Sequence, residues 1–173
     1  MDAVEHFLTQ WRTEAPSIDV TPMATIGRLN RLSGLVQTRI DAVFDELGLQ
    51  SWEFDVLATL TRQGAPYAMT AGDLERQMMI TSGTTTHRIG RLEQRGFVER
   101  RKDDDDRRVV WVTLTDAGRQ ACLEAYPVHL ENERRILASM DAEDVAALTR
   151  GLVALAAALR DAPALPRTPV LRR

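Results

Sequence analysis

Between residues 81 and 95 the chain reads TSGTTTHRIGRLEQR, small hydroxyl side chains followed by guanidinium groups. Ser82, Thr84, Thr85, Thr86 and His87 come first, and Arg88 and Arg91 follow about one and two helical turns later. Hydroxyls at a helix start reach phosphate oxygens and base edges, and the free backbone N–H groups there favour anions. Arginines one turn further on suit a guanine edge or a phosphate. The same residues also make an ordinary helix with a polar solvent face, so local charge has to weigh between the two. Residues 81–102 hold six Lys/Arg (Arg88, Arg91, Arg95, Arg100, Arg101, Lys102) against two acids (Glu93, Glu99), a local +4 in a chain of net charge −3. An acidic protein that binds a polyanion needs its positive charge gathered in this way.

The elements that position these residues are legible on either side. Ile80, Ile89 and Leu92 pin the hydroxyl-rich stretch to a core, and Gly96 ends it. Just upstream, Thr70 with Asp73 makes a capping box for AGDLERQMM. Two short helices joined by so tight a break are what a helix-turn-helix requires. Next, FVERRK and RVVWVTL flank the acidic run Asp103–Asp106 as two β-rich segments, which predicts a hairpin.

Further out, residues 2–14 read as a short helix closed off by Pro16. Ile26, Leu29, Leu32, Val36, Ile40, Val43 and Leu47 make one apolar stripe on a long helix stopped by Gly48. Ser51 offers an N-cap for WEFDVLATLTRQ, which Gly64 and Pro66 end. Thr115 begins another helix, with a kink or local break expected at Pro127. Asp141 and Asp144 open the last helix, whose Val145, Leu148, Leu152, Leu155 and Leu159 serve either the chain's own core or a seam between two subunits.

The fold class is therefore mainly α with a small β-hairpin wing (α+β). Residues 1–50 are expected to hold N-terminal helices for dimerisation and a possible effector pocket, and 51–115 the winged helix-turn-helix lobe. Residues 116–161 are expected to hold C-terminal dimerisation helices, and 162–173, with prolines at 163, 166 and 169, a disordered tail.

Composition removes several classes of function. One cysteine excludes an internal disulfide, and three scattered histidines form no zinc spacing. No apolar run approaches bilayer length and the N-terminus lacks a signal-peptide pattern, so a cytoplasmic protein without a membrane partner is expected. There is no nucleophile–base pair, phosphate-cradling glycine loop or metal cluster, so neither catalysis nor a cofactor is expected. A winged helix that binds only proteins stays open; it predicts no salt-dependent DNA affinity.

The stretch SGTTTHRIGRLEQRGFVERRKDDDDRRVVWVTLTDAG resembles the core of the MarR family of bacterial transcription regulators. Its hallmark, an Asp-x-Arg in the wing followed by an alternating strand ending Leu-Thr-x-x-Gly, reads here Asp106-Arg107-Arg108 through Leu114-Thr115-Asp116-Ala117-Gly118. The resemblance extends over roughly residues 23–160. It implies a homodimer on double-stranded DNA, with two recognition helices in successive major grooves of a pseudo-palindromic site. Repression is the family's usual mode. The resemblance places Arg108 or Arg107 in the minor groove and Asp106 where it fixes the loop. Asp103, Asp104 and Asp105 exceed the pattern, and either form a solvated turn or weaken sequence-independent phosphate attraction.

WRTEAPSID and EFDVLATLTRQGAPY resemble the family's urate-responsive, PecS-type branch. That likeness implies an effector site of Trp11, Asp55 and Arg62, with Gln63 standing where the branch typically has Asn, so the effector is urate, another purine or a small carboxylate. Asp55 and Arg62 are seven residues apart and share a helix face, and a guanidinium suits a flat anion. The pair also reads as a structural ion-pair face, and Trp11 as a staple for the first helix. In the implied mechanism Asp55 pairs with Arg88, and an anion held at Arg62 repels Asp55 and shifts the recognition helix. Some MarR-like proteins instead sense peroxide through a thiol; Cys122 lies after the wing, away from the first long helix that carries such cysteines, and reads rather as a small buried apolar residue.

Overall fold

The computed structural model describes residues 1–163. Within them the chain runs α1 (Ala3–Glu14), α2 (Met23–Glu46), α3 (Ser51–Arg62), β1 (Ala68–Thr70), α4 (Ala71–Met78), α5 (Ser82–Gln94), β2 (Val98–Lys102), β3 (Val110–Leu114), α6 (Asp116–Leu137) and α7 (Ala142–Ala158). Oxygen-bearing side chains start five helices: Asp2, Thr70, Thr81, Thr115 and Asp141 each accept a backbone N–H from the first turn. The expected cap at Ser51 sits one residue earlier. Gln50 is the N-cap, and the Glu53 carboxylate accepts its backbone N–H at 2.9 Å.

The chain forms two compact units, residues 1–42 and the remainder from Val43. In the first, Val4, Leu8 and Val20 are buried together with Met23 and Ala24 against them. Arg28 fastens α1 there, donating from Nε to Asp2 at 2.8 Å and from Nη2 to Glu5 at 3.3 Å. Further along α2, Leu29, Leu32, Leu35 and Val36 are exposed, leaving that part of the apolar stripe uncovered.

The second unit packs α3, α4, α5 and α6 with an antiparallel sheet of order β1-β3-β2. Its core holds Phe44, Phe54, Leu57, Leu60, Met69, Leu74, Ile89, Leu92, Val98 and Val112. The hairpin forms as expected, Val98 opposite Leu114 and Lys102 opposite Val110. Strand β1, pairing Ala68 with Thr113 and Thr70 with Trp111, was not anticipated. Three buried residues are too few to display an alternation, and Thr70 already carries the cap signal for α4.

Helix α6 runs through Pro127 without the expected break. Its N-terminus lies so close to the α5–β2 connection that a Cβ on Gly118 would fall 2.1 Å from the Phe97 carbonyl oxygen, which gives the glycine of Leu-Thr-x-x-Gly its physical reason. Helix α7 buries no residue, and Leu148, Leu152, Val153 and Leu159 stand exposed on it. The tail expectation falls mostly on residues 164–173, which lie outside the described residues. Among the described residues no helix is long and apolar enough to cross a membrane, and no cluster of His, Cys, Asp or Glu fits a metal ion.

Candidate nucleic-acid interface and effector cleft

Thr81 accepts the N–H of Thr84 at 3.3 Å and sets the first turn of α5, leaving Ser82, Thr86, His87 and Arg91 exposed. Ser82 and Thr86 line a groove of about 400 Å³ together with Arg108, Val109 and Val110 of the wing, and Thr70, Ala71, Gly72 and Glu75 from the start of α4. The fold thus brings the hydroxyl run and the wing arginine, distant in sequence, to one surface.

Three features of that surface differ from the expectation. Thr85 lines the same groove but is 4% exposed, and its hydroxyl donates to the Thr81 carbonyl, so it offers far less surface than Ser82 and Thr86. The helical period explains this, since Thr85, Ile89 and Leu92 share the buried face. Arg88 sits at the edge of that face, half-buried, with its guanidinium 5.4 Å from the Trp52 ring centroid, and lines a different cavity. The +4 also overstates the available charge by one. Arg95 pairs with buried Glu53, outside the counted segment, and donates to the Gly48 carbonyl at 3.0 Å, while Arg100 pairs with Glu93, which the count already includes.

The wing explains the acidic run. Asp106 accepts from the Arg108 backbone N–H, Nε and Nη2, each at 3.0 Å, while that arginine side chain stays 91% exposed. The Arg108 side chain, then its backbone N–H, hold the Asp106 carboxyl below the usual carboxylate range. Asp103 holds the turn together from within. Its Oδ2 accepts the Trp111 indole N–H at 2.7 Å, and its Oδ1 accepts the N–H groups of Asp105 and Asp106 at 2.9 and 3.0 Å. These bonds, the indole's first, lower its pKa also. Asp104 and Asp105 are exposed, Asp104 beside Arg101 at 3.5 Å, as a solvated turn requires. Arg107 is exposed too.

A second cavity, of about 500 Å³, gathers Asp55 and Arg62 from α3 with Arg88 from α5. Gln77, Met78 and Ile80, at the turn of the helix-turn-helix, form another wall, and Tyr126, His129, Leu130 and Glu133 of α6 a third. Arg62 donates from Nη2 to Oε1 of Gln77 at 3.0 Å. His129 lies against Phe44 and Phe54, with Nε2 3.2 Å from a Glu133 oxygen. The α6 wall was missed, although His129, Leu130 and Glu133 lie three, four and seven residues after Tyr126 and so share its helix face. Gln63, expected at the site, is the exposed C-cap of α3 and lies outside the lining; still in helical conformation, it points about 100° round the axis from Arg62. Trp11 is 46% exposed on α1. Cys122 is 1% exposed, and burial pushes its thiol pKa up, opposite to what a reactive thiolate needs.

The MarR family model matches residues 49–110. The chain is 43% identical over 141 residues to the HTH-type transcriptional regulator PecS of Dickeya dadantii, covering 82% of this chain and 85% of that one. Its fold is similar to AbsC, a MarR family regulator from Streptomyces coelicolor (TM-score 0.71, 24% identity, 84% of this chain and 97% of that one). It is similar also to a mutant MarR from E. coli complexed with operator DNA (TM-score 0.69, 23% identity, 79% and 95%).

Proposed function

This chain belongs to the MarR family of DNA-binding transcription regulators, and from that premise we propose that it is a ligand-responsive repressor. It binds a pseudo-palindromic operator as a homodimer and leaves it when urate, or a similar purine or carboxylate, occupies the cleft. The observation that carries this reading is the gathering of Asp55, Arg62 and Arg88 around one cavity of about 500 Å³.

The chemistry of that cavity favours a flat anion that also carries N–H donors. Two guanidiniums take the anionic edge through paired hydrogen bonds, Asp55 and Glu133 accept N–H groups, and Phe54 and Tyr126 supply aromatic surface. Urate meets all three demands, whereas a simple carboxylate leaves the acids unmatched. An anion held at Arg62 repels Asp55 and disturbs Arg88 on α5. For each tenfold loss of DNA affinity, the ligand must favour the released state by about 1.4 kcal/mol.

Dimerisation is supported by the leucine-rich faces exposed on α2 and α7. A 17-residue helix with no buried side chain gains its stability from packing against another surface. Two copies would set their α5 helices in major grooves roughly 34 Å apart.

The test is to recover the DNA that the protein retains from its genome, then titrate urate, xanthine and salicylate against that complex. Urate is expected to release the wild type but not Arg62→Ala, which binds the fragment more weakly and with an affinity that urate leaves unchanged. Release of Arg62→Ala by urate at wild-type concentrations would overturn the effector site.

A further inference from the structure

The effector cleft touches the helix-turn-helix at its turn as well as at its recognition helix. Gln77 and Met78 end α4 and Ile80 follows, all three on the cavity wall. Between them Met79 is 87% exposed at φ +52°, a left-handed conformation that costs a non-glycine residue of order 1 kcal/mol. Of the turn's backbone bonds, Met79 N to Arg76 O at 3.4 Å is long and Ile80 N to Glu75 O at 3.2 Å is at the upper end of the ordinary range. Across the cavity, the bond from Arg62 Nη2 to Gln77 Oε1 ties this turn to the end of α3.

We infer that Gln77 is the positioning residue through which occupancy of the cleft reaches the helix-turn-helix: an anion captured by Arg62 displaces the Gln77 amide and frees the α4–α5 turn. The inference rests on the effector reading of the cleft. It follows from a difference in acceptors, because an anion meets the guanidinium with full opposite charge and two oxygens in a paired contact, whereas the Gln77 amide offers one neutral oxygen. An anion therefore outcompetes the Gln77 carbonyl for the same guanidinium. Without ligand, the Arg62–Gln77 bond opposes relaxation at Met79 and keeps the orientation of α5 that suits DNA. Gln77 need not touch the ligand for this; it acts through Arg62.

Two substitutions pull the proposed link in opposite directions. In Gln77→Glu the new carboxylate holds Arg62 by charge and competes with an anionic ligand. Urate affinity is expected to fall about tenfold or more, and correspondingly more urate is needed to release the DNA. In Gln77→Met the volume is kept but the acceptor is gone. Urate should then bind at least as tightly as to wild type, DNA affinity without urate should weaken, and the ratio of DNA affinities without and with saturating urate should approach one.

Both variants and the wild type would be titrated with urate by calorimetry and with the recovered DNA fragment by fluorescence anisotropy. A purely structural role for Gln77 predicts equal losses of ligand and DNA affinity in both variants, and that result would overturn the inference. So would wild-type ratios in both. Urate binding by the wild type with unchanged ratios in the variants removes this inference alone, whereas absence of binding by the wild type removes the effector reading with it.

Discussion

Gly118→Ala is the most sharply defined perturbation in the molecule. A Cβ at this position would lie 2.1 Å from the carbonyl oxygen and 2.9 Å from the carbonyl carbon of Phe97. Real Cβ contacts essentially stop at 3.0 Å, so the two backbones must part by at least 3.0 − 2.1 = 0.9 Å. Neither side yields easily. The Phe97 carbonyl accepts the Thr115 N–H at 3.1 Å, and the Thr115 hydroxyl donates to the Gly96 carbonyl at 2.8 Å while accepting the Gly118 N–H at 3.0 Å. Overpacking of this kind costs about 1–3 kcal/mol, which for a chain of this size lowers Tm by roughly 2–12 °C. The strained junction joins α5, β2 and α6, so operator affinity should fall as well. Thermal unfolding by circular dichroism at a fixed protein concentration, alongside anisotropy with the operator, measures both. Gly90→Ala is the control: its Cβ would meet nothing within 4 Å, and removing a glycine from a helix interior should add about 0.5–1 kcal/mol. A Tm for Gly118→Ala equal to that of the wild type would refute the reasoning.

Arg108→Ala should weaken binding across DNA sequences and reduce the slope of log affinity against log salt by about one phosphate contact; an unchanged slope would take the wing off the DNA. Asp103→Ala removes the acceptor of the Trp111 indole, so operator affinity should drop. Asp105→Asn should instead raise affinity for random DNA more than for the operator, and equal gains on both would dismiss a role for that charge. The Asp103 carboxyl sits below its ordinary value of 3.8, so its latch on Trp111 is fully present above that pH and lost as pH falls through the lowered value. The Trp111 indole proton resonance should stay constant from neutral pH through the mildly acidic range. A shift near pH 5 would contradict the hydrogen bond.

How much of this could be read beforehand depended on whether a residue's role was local. Thr70, Thr81, Thr115 and Asp141 act on backbone groups three residues away, so their caps were visible in the string of letters or close to it. The hairpin was visible because its strands adjoin each other in the chain. Trp111 and Asp103 face each other only once the hairpin closes, so the acids were read as a loop until the indole gave one of them a partner. Charge counting fell short for a related reason: the acid that meets Arg95, Glu53, lies outside the basic segment and is chosen by helix packing. In the cleft, Asp55 and Arg62 followed from spacing on one helix, while Gln77, Tyr126, His129 and Glu133 joined them only through the packing of α4 and α6.

The clamp on Arg95 has a mechanical consequence. With its guanidinium held by Glu53 and the Gly48 carbonyl, the far end of α5 is a fulcrum, and the hydroxyl-bearing end is the long arm of a lever. Thirteen residues give an arm of about 20 Å. A tilt of about 5° about the clamped end then sweeps Ser82 through roughly 1.7 Å, more than half the length of a hydrogen bond. A disturbance too slight to reorganise the surrounding side chains is thereby magnified where the helix meets the groove, and a mirrored displacement in a second copy would double the error in spacing.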